Sequence, residues 1–197
     1  NAMLQRVETV FDETNGAKLN DVLSRFWNAW DDLANRPAGQ VERDALLSVA
    51  RELTSTFNAY GDQLYALQQN INDNVRDTVA QINVYSSGIA SLNRQIGQTA
   101  SGAGETNRLL DERNILLKKL CGLVNCRYID GSNNGLNVYL ANGQPLVEGE
   151  KSHDLGVIKG MDSEFHDVVY KEQSGESIHP YLAANQGSLG ALLDVRD

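Results

Sequence analysis

Leu46 to Ile71 reads LLSVARELTSTFNAYGDQLYALQQNI, and the spacing of its apolar residues decides the fold. Leu46, Ala50, Leu53, Phe57, Tyr60, Leu64, Leu67 and Ile71 alternate steps of four and three, which is a heptad seam along one face of an α-helix. The pattern passes through Asn74 and Thr78 and resumes at Ile82, Tyr85, Ile89, Leu92 and Ile96. Two steps of four in succession, from Asn74 to Ile82, make a stutter that locally unwinds a left-handed supercoil. The polar pair there reads as a wet spot at the stutter, or as a register-setting contact. No proline interrupts Gln40 to Ala100. The spacing therefore predicts one helix of nearly sixty residues, roughly 80–90 Å long at ~1.5 Å per residue. A helix of that length builds a rod and not a pocket.

Shorter helical pieces flank it. Leu4, Val7 and Phe11 end at Asn15-Gly16, and Leu19, Leu23, Phe26, Trp30 and Leu33 stop at Pro37-Ala38-Gly39. Phe26 and Trp30 read as core at helical spacing, which leaves Trp27 as the outer aromatic and a candidate subunit contact. Downstream, Gly97 to Glu105 turns the chain, and it lacks the Gly-Lys-Ser/Thr ending of a phosphate loop. Thr106 is placed to cap the next helix, NRLLDERNILLKKL from Asn107 to Leu120. Leu110, Arg113, Leu117 and Leu120 share one face of it. Folded back as a hairpin, that face covers the C-terminal third of the long helix. Arg113 stands out, because a charge in a seam needs a partner or a route to water. Its expected place is against a polar side chain of the long helix or snorkelled to solvent, with ligand binding as the second reading.

After Gly122 the period changes to two. Cys126–Ile129, Leu136–Leu140, Leu146-Val147, Asp154–Ile158 and His166–Tyr170 read as short strands, with hairpin turns at Asn134-Gly135 and Asn142-Gly143. A loop follows from Gln173 to Pro180, and Gly187 to Leu193 returns to helix. The fold class is α+β: an elongated antiparallel helical bundle with one very long helix, and a small antiparallel β unit inserted between helices. Residues 1–3 read as a tag remnant, 4–122 as a helical rod domain, 123–183 as the β unit and 184–197 as the return helix. The structural seam is assigned to Leu53, Phe57, Leu64, Leu67, Ile71, Ile82, Ile89, Leu92, Ile96, Leu110, Arg113, Leu117 and Leu120.

Chemistry is sparse. Acidic residues outnumber basic ones by 26 to 17, for a net charge of −9, which argues against nucleic-acid partners and anionic membrane surfaces. No apolar run approaches the roughly 18 residues of a membrane span. Asp130 to Gly135 resembles the start of a calcium loop, but Ala141 stands where the bidentate glutamate belongs, and a hairpin turn explains these residues better. His153, His166 and His179 have no metal-ligand spacing and read as solvated loop residues. Cys121 and Cys126 read as two half-buried thiols in preference to a bridge. No catalytic, cofactor or metal site is expected, and the chain reads as a non-enzyme.

Three stretches carry a resemblance: Phe26 to Leu64, Gln81 to Ile96 and Asn107 to Leu120. With NGQPLVEG (Asn142 to Gly149) and NQGSLGALLDVRD (Asn185 to Asp197), in the same order, the chain resembles the hook-associated protein 1 family of the bacterial flagellum, the hook–filament junction proteins. Arg108, Asn114, Cys121 and Cys126 depart from that family's pattern. The resemblance implies a secreted structural protein of the extracellular flagellum. It implies a ring of copies of itself on the hook, contacting the hook protein and a second junction protein on the filament side. It also implies an export chaperone bound through segments absent here, and a central fragment without the terminal coiled-coil segments, expected to be a monomer in dilute solution. A coiled-coil scaffold or other cell-surface assembly protein is the alternative that the leucine pattern alone leaves open.

Overall fold

The long helix is unbroken from Gln40 to Gln98, 59 residues, and it shares its two halves between two compact units, residues 1–68 and 69–197. The change of period at 122/123 separates helix from strand; the packing divides the chain elsewhere, inside this helix. The computed structural model describes residues 19–98, 103–160, 164–171 and 187–197. The expected helix from Leu4 to Phe11, the Gln173–Pro180 loop and His179 lie outside these residues.

In the first unit, helix α1 (Leu19–Asn35) precedes the long helix, α2 (Gln40–Gln98). Arg25 pairs with Glu52 and Arg36 with Glu42. Both pairs are centred on the Ala38-Gly39 turn, so α1 runs antiparallel to the start of α2. The inward face of α1 is Val22, Phe26, Ala29 and Leu33, with Val22 and Ala29 buried. Trp30, expected in the core, is exposed, because the small Ala29 beside it takes the inward place and allows a closer approach than an indole. A similar one-residue rotation occurs on α2. Thr56 is buried, its hydroxyl donating to the Glu52 carbonyl at 2.9 Å. Phe57, assigned to the seam, is instead 50% exposed.

The second unit begins with Ile71, Val75, Val79, Ile82, Ile89 and Ile96 of α2, all buried. Val75 and Val79 take the places expected of Asn74 and Thr78, which are half-buried beside them. Three steps of four therefore run from Leu67 through Ile71 and Val75 to Val79, and the seam stays apolar there. Helix α3 (Ala103–Leu123) returns antiparallel to α2. Its Leu109 packs with Leu92 and Ile96. Gly88 permits the approach, since a Cβ there would stand 2.7 Å from Leu116 Cδ1. Thr106 lies inside this helix and not at its cap, because helix begins at Ala103. Glu105 occupies the first turn, where a carboxylate suits the helix dipole, and Arg108 bridges it to Glu112.

Strands β1 (Cys126–Asp130), β2 (Leu136–Leu140), β3 (Pro145–Glu148) and β4 (Lys151–Ser152) form one antiparallel sheet in that order. Strands β5 (Leu155–Lys159) and β6 (His166–Tyr170) form a second antiparallel pair. The β1–β2 connection is a loop from Gly131 to Gly135 and not a two-residue turn. Asn133 and Asn134 adopt left-handed φ of 54° and 57°, while Gly135 is extended. Asparagine tolerates that region because its short amide bonds locally. Cys121 and Cys126 are joined in a disulfide with Cα atoms 5.3 Å apart. This overturns the expected pair of free thiols: the last turn of α3 runs directly into β1 and brings the two side chains face to face. Helix α4 (Gly187–Arg196) then returns to α3. Gly187 has φ of +92°, and a Cβ there would stand 2.7 Å from the Leu123 backbone. Leu189 and Leu193 of α4 join Val75, Val79, Ile82, Leu117, Leu120, Val138, Leu146, Leu155 and Val168 in one core. The β unit is thus inserted between α3 and α4.

Candidate functional site

Three asparagines of α2 tie both sheets to the helix. Asn93 is buried; its Oδ1 accepts the Leu136 N–H at 3.1 Å, and its Nδ2 donates to the carbonyls of Leu136 at 2.8 Å and Gly149 at 2.6 Å. Asn83 holds Leu155 in the same two-pronged way, with Oδ1 on the amide at 2.9 Å and Nδ2 on the carbonyl at 2.8 Å. Buried Asn72 accepts the His166 N–H at 2.8 Å, and its Nδ2 lies 2.7 Å from His166 Nδ1, within hydrogen-bond reach. Each amide presents one acceptor and one donor side by side. It therefore imitates the backbone of a neighbouring strand. One contact falls on β2, one on β5 and one on β6. Steps of eleven and ten residues, close to three helical turns, keep all three on one face.

Two arginines complete the ends of this row. Arg113 of α3 is 6% exposed; its Nη1 donates to Asn93 Oδ1 at 2.9 Å and to the Asn134 carbonyl at 2.6 Å. Burial pushes its pKa below the usual arginine value, and Asp130 offsets this only in part. Arg196 of α4, also buried, donates to Asn72 Oδ1 at 3.3 Å and to the His166 carbonyl at 2.5 Å, and its guanidinium lies 5.6 Å from the Phe165 ring centre. Each arginine thus bonds one asparagine of α2 and one carbonyl of the β unit. The arrangement positions backbone.

Of the residues assigned to the seam, Ile82, Ile89, Leu117 and Leu120 meet in the main core of the second unit. Leu92 and Ile96 meet Leu109, with Leu110 partly buried against them; Ile71 is buried. Leu53, Leu64 and Leu67 are half-buried in the first unit. Trp27 is 62% exposed, its ring centre 5.4 Å from that of Phe26. Asn72, Asn83, Asn93 and Arg196 were missed, although the eleven-and-ten spacing of the asparagines was visible. Of the three histidines expected to be solvated, the two described are not: His153 is buried, stacked on Tyr170 with ring centres 6.1 Å apart, and His166 is half-buried against Asn72. Strand pairing places both rings against the α2 face or the sheet interior. Among the described residues no group of three or more His, Cys, Asp or Glu could hold a metal ion. Among them, too, no helix is long and apolar enough to cross a membrane.

Residues 4–197 match the family described as "Flagellar hook-associated protein FlgK helical domain". Flagellar hook-associated protein 1 of Salmonella typhimurium is 31% identical over 184 residues, 91% of this chain and 33% of that protein. The protein of the same name from Bacillus subtilis is 28% identical over 177 residues, 87% of this chain and 35% of that protein. A solved structure, that of the flagellar hook junction protein FlgK from Burkholderia pseudomallei, superposes with a TM-score of 0.83 at 30% identity, covering 98% of this chain and 35% of that one. The chain spans about a third of the length of these relatives.

Proposed function

The chain belongs to the family of flagellar hook-associated protein FlgK helical domains, and from that premise we propose that it serves as a structural subunit of the bacterial flagellum, an adaptor between hook and filament. The observation that carries this reading is a likeness along nearly the whole chain, long helix and docked β unit together, to a protein whose title names it a hook junction protein. In this reading copies of the subunit form a ring outside the cell, with the hook protein on one side and a second junction protein on the other. An export chaperone acts through parts of the protein outside these residues. The exposed indole of Trp27 is the proposed contact with a neighbouring subunit. A junction subunit has to keep its shape under mechanical load, and the asparagine contacts and the disulfide support that role.

Deletion of the full-length gene tests the reading. Electron microscopy of the mutant cells is expected to show hooks without filaments, with flagellin lost to the medium. Normal filaments on those hooks would overturn it.

A further inference from the structure

In the second unit, α3 and β1 leave a groove of about 390 Å³, walled by Arg113, Leu117, Lys118 and Cys121 on the helix and by Tyr128 and Asp130 on the strand. Among the described residues strand β1 is the outer strand of its sheet, paired only with β2. Tyr128 and Ile129 on it are 59% and 58% exposed. The Gly131 N–H bonds the Gly135 carbonyl at 2.8 Å, in line with the β1–β2 register. Antiparallel pairing alternates, so the backbone groups of Ile129 and Arg127 face β2, while those of Tyr128 and Asp130 face away from it. Among the described residues nothing takes up this outward edge. An uncovered edge of this kind is a template for another strand.

The groove also holds an excess of positive charge, which the Asp130 carboxylate on its strand wall offsets only in part. Arg113 is almost fully buried, both oxygens bonded to its Nη1 are neutral, and its Nε has no partner. Among the described residues no carboxylate forms an ion pair with it. Lys118, exposed and also on the helix wall of the groove, adds a second cation.

We propose that this groove binds an extended peptide segment of a partner protein, which adds to β1 as a fifth strand and sets a carboxylate against Arg113 and Lys118. The free backbone edge selects a peptide over a small molecule. The guanidinium selects a carboxylate, the group that matches its planar donors. The occupant is a segment with one carboxylate among β-branched residues, because the chain's net charge of −9 repels a strongly acidic one. For the same reason a second copy is disfavoured. This inference stands apart from the junction reading, since it concerns the groove alone.

The test uses the purified chain and an end-blocked probe peptide, Thr-Val-Thr-Glu-Val-Thr-Val, alongside its Gln counterpart, followed by NMR. Saturable shifts at the Tyr128 and Asp130 amides and at the Arg113 Nε–H are expected, with the Gln peptide about tenfold weaker. Tyr128→Pro removes an outward amide without breaking a bond to β2 and is expected to abolish binding; Lys118→Glu is expected to weaken it. No saturable shift at millimolar peptide, equal binding of the two peptides, or full binding by a folded Tyr128→Pro variant would each overturn the proposal. So would concentration-dependent dimerisation that Tyr128→Pro removes, because the edge would then belong to a second copy.

Discussion

Replacing Asn93 by alanine strips partners from several groups at once: the Leu136 amide, the carbonyls of Leu136 and Gly149, and the Arg113 guanidinium. A buried polar group left unsatisfied costs about 1–3 kcal/mol, so Asn93→Ala is expected to destabilise the second unit by about 3 kcal/mol or more. Asn83→Ala, in which a half-buried amide leaves only the backbone N–H and C=O of Leu155 without partners, is expected to cost about 1–3 kcal/mol. Urea midpoints measure both, and equal losses would contradict the ranking. Acid acts elsewhere, on the α1–α2 hairpin. The Arg25 guanidinium holds the Glu52 carboxyl below its ordinary value of 4.5, and Arg36 does the same to Glu42. A carboxyl whose pKa is lowered by folding contributes stability above its ordinary pKa and loses it as pH falls through the lowered value. These pairs are exposed, so the contribution is small and screened by salt. Glu52→Gln is therefore expected to lower the melting temperature slightly at neutral pH in low salt, with the difference from the parent closing in acid. A difference that widened in acid would reverse the assignment.

Elements differ in how much of them can be read from the chain. The long helix was legible because its apolar period persists for many turns, and the β unit because the period switches to two. Period alone does not tell adjacent residues apart, so Phe57 and Thr56 exchanged roles, as did Asn74 with Val75. The consequence is measurable. Phe57→Ser, at an exposed position, is expected to cost under about 0.5 kcal/mol, whereas Ile82→Ala, in a fully buried one, is expected to cost about 2–5 kcal/mol. Comparable losses in thermal unfolding would restore Phe57 to the seam. The asparagine row stayed hidden for a different reason. A polar residue in a helical pattern reads as solvent-facing until the strand backbone opposite it is known, and that backbone arrives from residues forty to ninety positions away. The cysteine bridge was hidden likewise, because spacing cannot say how the end of α3 meets β1. Its short loop predicts that reduction, or Cys121→Ser with Cys126→Ser, lowers stability by about 2 kcal/mol. Denaturant curves with and without reductant check this.

At the scale of the whole molecule, the chain's two tryptophans, Trp27 and Trp30, both lie in the first unit. Their emission reports that unit, while the core centred on Ile82 and Leu120 belongs to the second. Ile82→Ala is expected to move the circular-dichroism transition of the second unit and to leave the tryptophan transition almost in place. An equal displacement of both would mean that the units unfold as one. The three asparagine amides carry a consequence of another kind. They grip the N–H and C=O of Leu136 and Leu155 and the N–H of His166, backbone groups whose N–H only proline lacks, and at 166 the imidazole is held as well. The grip therefore does not read the side chains of Leu136 and Leu155, which are held instead by their place in the core, while the interval between the grip points is fixed by α2. α2 is thus a socket for backbone: an apolar exchange at 136 or 155 leaves the grip intact, whereas proline at 136, 155 or 166 removes the N–H that it holds.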